Sequence, residues 1–246
     1  MIQVDGLWKS YGDFAAVSGV KFSAKKGDIV GFLGPNGAGK TTTLRMLVTY
    51  MPPSSGSARV AGYDIITQAD EVRRRIGYLP ETPPLYGEMT VTEFLIFVAR
   101  IKGIAGRQVK EKVEQAIERC FLREVAGRTC QHLSRGFRQR VGIAQAIIHD
   151  PEVIVLDEPT SGLDPKQIIQ IREMIKGLAA DHTVVLSTHI LPEVSMVCNK
   201  VVIINRGQVV MESYLNELRA GQSLEQVFME AVGAEQGMSK QAEAQV

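Results

Sequence analysis

One eight-residue motif constrains this chain more than any other feature of its sequence. Residues 34–41 fit the P-loop pattern G-x-x-x-x-G-K-[ST]. The motif lies between a short apolar run, residues 28–33, and a segment with helical spacing that begins at Thr41. In that setting the loop aims successive backbone N–H groups at phosphate oxygens, and the helix dipole favours the same anion. The chain is therefore predicted to bind a nucleotide within an α/β fold.

The chemistry of the phosphates assigns roles within this motif. Lys40 is predicted to reach the β- and γ-phosphates, and the hydroxyl of Thr41 is predicted to hold Mg²⁺. An ordinary glycine turn with a surface lysine is the competing interpretation, and the flanking strand and helix argue against it. The predicted nucleotide-contacting residues of this segment are Gly34, Pro35, Asn36, Gly37, Ala38, Gly39, Lys40, Thr41 and Thr42.

A second buried run ends in two acids. Residues 153–156 are all aliphatic, and Asp157 and Glu158 follow them. At the end of a buried strand, Asp157 can orient Mg²⁺ and its water. Strand alternation is expected to point Glu158 in a different direction, where its carboxylate can polarise an attacking water as a general base. Two adjacent acids could instead begin a loop, but the presence of Lys40 favours a site that binds Mg²⁺ and nucleotide. Kinases, GTPases, recombinases and transport motors all use a P-loop, so the purpose of the site stays open at this point.

Composition and charge restrict the class of protein further. With 45% hydrophobic and 22% charged residues, the chain resembles an average soluble globular protein. A net charge of +1 provides no overall field that would attract nucleic acid or anionic lipid. The apolar runs are far shorter than the roughly 20 residues that cross a bilayer. Three cysteines without paired spacing are expected to be buried thiols in a reducing compartment.

Hydrophobic periodicity predicts the layout of the fold. Apolar alternation over residues 2–7 and 17–22 predicts antiparallel strands at the front of the chain. The buried runs 153–156 and 184–186 are each followed by polar loops and helical stretches, as in a mostly parallel sheet covered on both faces. Near the end, Arg206-Gly207 separates two apolar runs and is predicted to form a hairpin turn.

The middle of the chain differs from both ends. Residues 91–101, 109–121 and 137–148 all carry apolar residues at helical intervals, which favours a helical insert over a second independent domain. The predicted nucleotide-binding domain spans residues 1–220, with the insert at about residues 84–150. Within residues 221–246, residues 224–232 are expected to form a short helix and residues 235–246 a frayed tail.

Three further stretches resemble motifs of the ATP-binding cassette (ABC) family. Residues 133–137 resemble its LSGGQ signature: Ser134 and Gly136 match, while Arg135 and Phe137 replace a glycine and a glutamine. Residues 159–164 resemble the D-loop, which ends at Asp164. Ser187-Thr188-His189 resembles the switch-histidine motif. The order and spacing of these motifs agree with the family over about residues 1–218.

The resemblance implies a fold and a mechanism. The fold is an α/β P-loop NTPase core of the ABC ATPase type, with a mostly parallel sheet, an N-terminal antiparallel β subdomain and an inserted α-helical subdomain. Two subunits close head to tail, so that Ser134 and Gly136 of one cover the γ-phosphate held by Lys40 of the other. Arg135 adds a contact to phosphate or nearby acids, or is an exposed arginine on a turn. Asp164 completes the predicted nucleotide-contacting set.

The resemblance also implies roles for three residues outside these segments. His189 would act beside Glu158, contacting the γ-phosphate and the attacking water. Tyr11 resembles the aromatic residue that stacks on adenine, although a core or turn tyrosine is an alternative. Glu81 aligns where most members have the Q-loop glutamine; it either offers a carboxylate oxygen to Mg²⁺, together with Thr41 and Asp157, or faces solvent.

Within the family, residues 77–81 and the abbreviated C-terminus resemble the ATPase subunits of ABC-2-type exporters. The expected partners are an integral membrane permease and a second ATPase subunit that forms a homodimer, and no nucleic acid is expected. The expected location is cytoplasmic and peripheral, on the inner face of the cell membrane. The alternatives are an ABC ATPase acting on nucleic acid or ribosomes, and a nucleotide-binding regulator that does not hydrolyse. Three questions stay open: the transported cargo, the direction of transport beyond this resemblance, and whether the two subunits are identical.

Overall fold

The computed structural model describes residues 1–218 and 224–230. The strands are β1 Ile2–Tyr11, β2 Phe14–Ala24, β3 Ile29–Leu33, β4 Ser55–Val60, β5 Tyr63–Asp64, β6 Ile76–Leu79, β7 Val153–Asp157, β8 Thr183–Thr188, β9 Lys200–Asn205 and β10 Gln208–Tyr214. The α-helices are α1 Lys40–Leu47, α2 Ala69–Arg75, α3 Val91–Ile101, α4 Gly106–Arg119, α5 Arg135–Ile147, α6 Pro165–Leu178 and α7 Leu191–Val197. Residues 224–230 are also helical.

The first sheet is antiparallel, with the strand order β2-β1-β4-β5. Ile2 of β1 lies opposite Ala24 of β2 on one side and Val60 of β4 on the other. Ile2 and Val4 of β1 are buried and alternate with exposed residues, as expected for a strand with one face on the core. The register shifts between Val4 and Leu7, and Leu7 is buried again after that shift. The alternation did not predict β4 and β5, because β4 begins with Ser-Gly-Ser and β5 has only two residues.

The second sheet has the order β10-β9-β3-β8-β7-β6 and is parallel except at the antiparallel edge strand β10. Every residue of β3, β7 and β8 is buried. Strands covered on both faces need no polar side, which explains why their sequences are nearly continuous apolar runs.

The helical insert α3–α5 lies between β6 and β7. Buried residues of these helices, such as Phe94, Val113 and Ile143, share one hydrophobic cluster with Ile154 of β7 and Leu186 of β8. The insert therefore packs onto the same core as the sheet. The predicted fold class, with its parallel core sheet, antiparallel front sheet and inserted helices, is confirmed.

Local features follow from residue type. Arg206 (φ 45°) and Gly207 (φ 80°) connect β9 to β10, and Asn205 pairs with Gln208. Two central residues with positive φ are typical of a two-residue type I′ hairpin, so the predicted turn is confirmed. The frayed tail predicted for residues 235–246 lies outside the described residues.

The sheet topology determines where the site forms. β3, β8, β7 and β6 run parallel as neighbours, so their carboxyl ends meet at one edge of the sheet. Ligands of open α/β sheets bind at this edge. The P-loop follows β3, Glu158 follows β7, His189 follows β8, and Glu81 lies two residues beyond β6.

Candidate active site

A cavity of about 330 Å³ lies at the carboxyl edge of the parallel sheet. It brings the P-loop together with residues that follow three other strands, and these residues are far apart in the sequence. The lining residues are Asn36, Gly37, Gly39, Lys40, Thr41, Thr42, Glu81, Glu158, Ser161 and His189.

The P-loop has the backbone shape that its glycines permit. Gly37 and Gly39 have φ values of 79° and 100°, and a Cβ on Gly39 would lie 2.6 Å from the carbonyl oxygen of Ala16. Gly39 is the N-cap of α1 and supplies no side-chain cap. The first N–H groups of this helix have no intrahelical acceptor, so they are available to an anion in the cavity.

Lys40 is almost completely buried, with 6% of its surface exposed. Its Nζ donates to the carbonyl oxygens of Gly34 (2.8 Å) and Pro35 (3.2 Å). The same Nζ lies 3.4 Å from Oε1 of Glu158. A buried cation needs such partners, and this arrangement holds the ammonium at the floor of the cavity.

The chemistry around Asp157 fits Mg²⁺. Its Oδ1 accepts hydrogen bonds from Oγ1 of Thr41 (3.1 Å) and Oγ of Ser187 (2.6 Å). Its Oδ2 is buried without a hydrogen-bond partner in the described part of the chain. Mg²⁺ prefers oxygen ligands and usually keeps water and substrate phosphate in its shell. An unpaired carboxylate oxygen beside a threonine hydroxyl suits that coordination.

The backbone conformation of Glu158 sets the direction of its side chain. The expectation that strand alternation would set this direction is wrong, because Glu158 lies outside β7. β7 ends at Asp157, and Glu158 has a left-handed φ of 49°, which is uncommon for a residue other than glycine. Its N–H donates to Oγ of Ser187 at 2.9 Å. The carboxylate then lies between Lys40 and His189, whose Nδ1 is 3.0 Å from Oε2.

Ser187 is a functional candidate that the sequence analysis did not assign. It lies directly opposite Asp157 in the parallel register of β7 and β8. Its hydroxyl donates to the Asp157 carboxylate and accepts from the Glu158 N–H. The sequence feature that could have indicated a role for Ser187 is its position as a hydroxyl residue directly after the aliphatic residues 184–186.

The residues of the signature lie apart from this cavity. Ser134 and Arg135 are exposed at the start of α5, where Oγ of Ser134 accepts from the N–H of Phe137 at 3.4 Å. The guanidinium of Arg135 lies so close to Gly162 that a Cβ there would be 2.6 Å from its carbon. Arg135 therefore contacts the D-loop of its own chain.

The start of α6 packs beside the start of α5. Asp164 is the N-cap of α6 and accepts from the N–H of Gln167 at 2.9 Å. A Cβ on Gly136 would lie 2.5 Å from Cδ of Gln167, so glycine allows the two helix starts to approach closely. Ser134, Arg135, Gly136 and Asp164 thus form a second candidate surface, which we call the signature surface.

Tyr11 and Glu81 are both exposed. Tyr11 ends β1 with half of its surface accessible, so it is not a core residue, and its hydroxyl donates to Sδ of Met51 at 3.2 Å. It does not line the phosphate cavity. Glu81 does line the cavity.

Comparisons with known proteins agree with this geometry. The family model described as "ABC transporter" matches residues 17–161. The chain is 40% identical over 220 residues to the ABC transporter ATP-binding protein NatA of Bacillus subtilis, covering 87% of this chain and 89% of that protein. It is 36% identical to the Nod factor export ATP-binding protein I of Ralstonia nicotianae, covering 89% and 68% of the two chains.

A solved structure is similar over most of the chain. It is the dimeric, post-hydrolysis state of the ATP-binding cassette MJ0796 bound to ADP and Pi. The TM-score is 0.79 at 26% identity, and the match covers 87% of this chain and 99% of the other. Within the described residues, no helix is both long and apolar enough to cross a membrane.

Proposed function

Because this chain belongs to the ABC transporter family, we propose that it is the ATP-binding and hydrolysing subunit of a membrane transporter of the ABC-2 exporter type. The observation that carries this proposal is the convergence of a phosphate-binding loop, a candidate Mg²⁺ carboxylate and a candidate base in one cavity. The relatives support this function over that of an ATPase acting on nucleic acid or ribosomes.

The P-loop and Lys40 bind the triphosphate. The uncapped start of α1 offers N–H groups to phosphate oxygens, and Lys40 supplies the positive charge. Thr41 and Asp157 would hold Mg²⁺, which neutralises charge on the phosphates during transfer. Glu81, exposed on the same cavity, is proposed to contribute a further carboxylate oxygen.

Glu158 is the proposed general base and His189 its proposed catalytic partner. The carboxylate accepts a proton from the attacking water, and the imidazole lies within hydrogen-bond distance of that carboxylate. Lys40 pairs with Glu158 in this structure. When a triphosphate draws the ammonium to itself, the carboxylate loses its cation and becomes free to accept the proton.

The signature surface is proposed to act on the nucleotide of a second subunit. It does not line the phosphate cavity of its own chain, yet it includes the exposed start of α5, where N–H groups favour an anion. Two copies arranged head to tail would place each surface over the partner's cavity. The similarity to a dimeric cassette supports this arrangement, and we propose a homodimer.

Ser134, Arg135, Gly136 and Asp164 are therefore proposed to contact the γ-phosphate side of the nucleotide in trans. Tyr11, exposed at the end of β1, is proposed to stack on adenine.

The coupling partner is proposed to be a separate membrane permease. The described residues hold no helix that could span a bilayer, and the relatives are named as transporter and export ATP-binding proteins. The proposed location is the cytoplasmic face of the cell membrane. ATP-driven closure and reopening of the two subunits would then move the permease.

Three measurements test this function. The purified chain should hydrolyse ATP in the presence of Mg²⁺. Ser134→Ala should reduce ATP-dependent dimerisation measured by light scattering, with little change in monomer nucleotide binding. The chain should also co-purify in mild detergent with an integral membrane protein. Absence of turnover, together with recovery of nucleic acid in place of a membrane protein, would contradict the proposal.

A further inference from the structure

Glu193 is a buried carboxylate to which the sequence motifs assign no role. It lies in the first turn of α7 with 3% of its surface exposed. Its Oε1 accepts a hydrogen bond from Oγ1 of Thr160, and its Oε2 accepts one from Oγ1 of Thr188 at 2.7 Å. Each carboxylate oxygen therefore receives one hydroxyl from a different part of the chain.

These two threonines belong to the two segments that carry the proposed base and its partner. Thr160 lies two residues after Glu158, and Thr188 immediately precedes His189. Oε2 of Glu158 and Nδ1 of His189 are 3.0 Å apart at the cavity. Glu193 joins the same two segments on their buried side. The Thr188 hydroxyl also accepts from the N–H of Ile190, which fixes the backbone just after His189.

A carboxylate suits this position better than any neutral group. Both threonine hydroxyls donate towards residue 193, and an ionised carboxylate accepts through both oxygens without offering a donor. An amide would accept from one hydroxyl and present an NH₂ group to the other, whose proton would lose its acceptor. Because buried polar groups without partners are costly, the second segment would shift to find one.

We propose that Glu193 is a positioning residue for ATP hydrolysis. It holds the Thr160 and Thr188 segments together and so keeps the Glu158 carboxylate and the His189 imidazole within hydrogen-bond distance. This inference rests on the proposed ATPase function. Glu193 touches neither the cavity nor the proposed nucleotide site, and it acts through the two threonines.

The test compares steady-state ATP hydrolysis by the full chain with that by Glu193→Gln. We expect kcat to fall about 10- to 100-fold, because small displacements of reacting groups have effects of that size. We expect KM for ATP to change less than about threefold, since the P-loop is untouched. Glu173→Gln is the matched control: it makes the same change at an exposed carboxylate on α6 and should leave both constants unchanged.

Single substitutions of the threonines keep the test valid if Glu193→Gln folds poorly. Thr160→Val and Thr188→Val each remove one hydroxyl at nearly constant volume, and each should lower kcat without a matching rise in KM. When either threonine substitution is combined with Glu193→Gln, the fold-decrease in kcat should be smaller than the product of the two single fold-decreases, because both substitutions break the same hydrogen bond. Multiplicative effects, or wild-type kcat in a folded Glu193→Gln protein, would overturn the proposal.

A second readout does not depend on turnover. The ¹⁵N signal of His189 Nδ1, assigned by comparison with a His189→Gln sample, reports the contact with Glu158. Glu193→Gln should move this signal in the direction seen in Glu158→Gln, and Glu173→Gln should not. An unmoved signal would refute Glu193 positioning even if the chain proved to be inactive, whereas an inactive wild-type chain alone would count against the proposed function.

Discussion

Nζ of Lys40 and Oε1 of Glu158 lie 3.4 Å apart, with the two side chains 6% and 11% exposed. The group proposed to bind phosphate thus neutralises the group proposed to activate water. Binding of a triphosphate and release of the base are consequently linked through one ammonium group. The first two predictions test the two ends of this pair.

Replacing Glu158 with Gln should abolish hydrolysis while preserving ATP binding. Removal of a general base typically costs about 10²- to 10⁴-fold in rate, whereas the P-loop and Lys40 stay in place. ATP-bound dimers should accumulate, measured by light scattering alongside a phosphate-release assay. Glu152→Gln, an exposed carboxylate just before the same strand, should behave as wild type. Undiminished turnover in Glu158→Gln would exclude this base.

Replacing Lys40 with Ala should weaken nucleotide binding itself. A hydrogen bond to a charged group contributes about 1.5–3 kcal/mol, which corresponds to roughly a 10- to 100-fold rise in Kd. Calorimetric titration with a non-hydrolysable ATP analogue measures the change. Lys110→Ala, on an exposed position of α4, is the control. Equal affinities for wild type and Lys40→Ala would contradict the proposed phosphate contact.

Replacing Asp157 with Asn should raise the Mg²⁺ concentration needed for turnover. The amide cannot offer the second anionic oxygen that is unpaired in this structure, and we expect at least about a tenfold shift. Turnover is measured against Mg²⁺ at fixed ATP, and chelation by EDTA should stop it in both proteins. Asp181→Asn, an exposed carboxylate, should follow the wild-type curve. If the Mg²⁺ curves of Asp157→Asn and wild type superimpose, Asp157 does not hold the metal ion.

The stability of the fold should decrease as the pH falls from about 6.5 to about 4. Burial, followed by the charge of Lys102, lowers the pKa of His149 to about 4, and its hydrogen bond to the carbonyl of Ile76 only partly opposes this. Between the two pKa values the unfolded chain binds a proton that the folded chain does not bind. The free energy of unfolding should therefore be about 2 kcal/mol lower at pH 5 than at pH 7 from this group.

Urea denaturation at both pH values measures this effect. His149→Gln keeps a donor for the Ile76 carbonyl but cannot titrate, so its loss of stability should be smaller by about that amount. His132→Gln, an exposed histidine, should retain the full loss. Parallel behaviour of wild type and His149→Gln would show that another group controls the pH dependence.

Much of the fold could be predicted because its determinants are local. The fully buried strands β3, β7 and β8 are continuous apolar runs, and α3 begins and ends where its periodicity indicated, at Val91 and Ile101. The strands β4, β5 and β6 escaped prediction because they are short or begin with small polar residues. β4 pairs with β1, β5 pairs with β4, and β6 pairs with β7, and no local pattern reveals these pairings.

The candidate site shows the same division. Arg135 had two open interpretations on sequence, and the packing of its guanidinium against Gly162 was visible only in three dimensions. Glu193 carried no motif at all. Its partners lie 33 and 5 residues away, and only the folding of β7 beside β8 brings them to one carboxylate.

The sequence by itself determined the chemistry of this protein: a glycine loop ending in Lys40 and Thr41, two acids after a buried run, and a histidine after another. These depend on backbone freedom and on which residues follow a strand, both of which are local properties. The tertiary structure decided how these groups face one another. Glu158 has a left-handed backbone, its N–H donates to Ser187, and its carboxylate contacts His189. Both contacts join residues about 30 positions apart, and only the parallel packing of their strands brings these residues together.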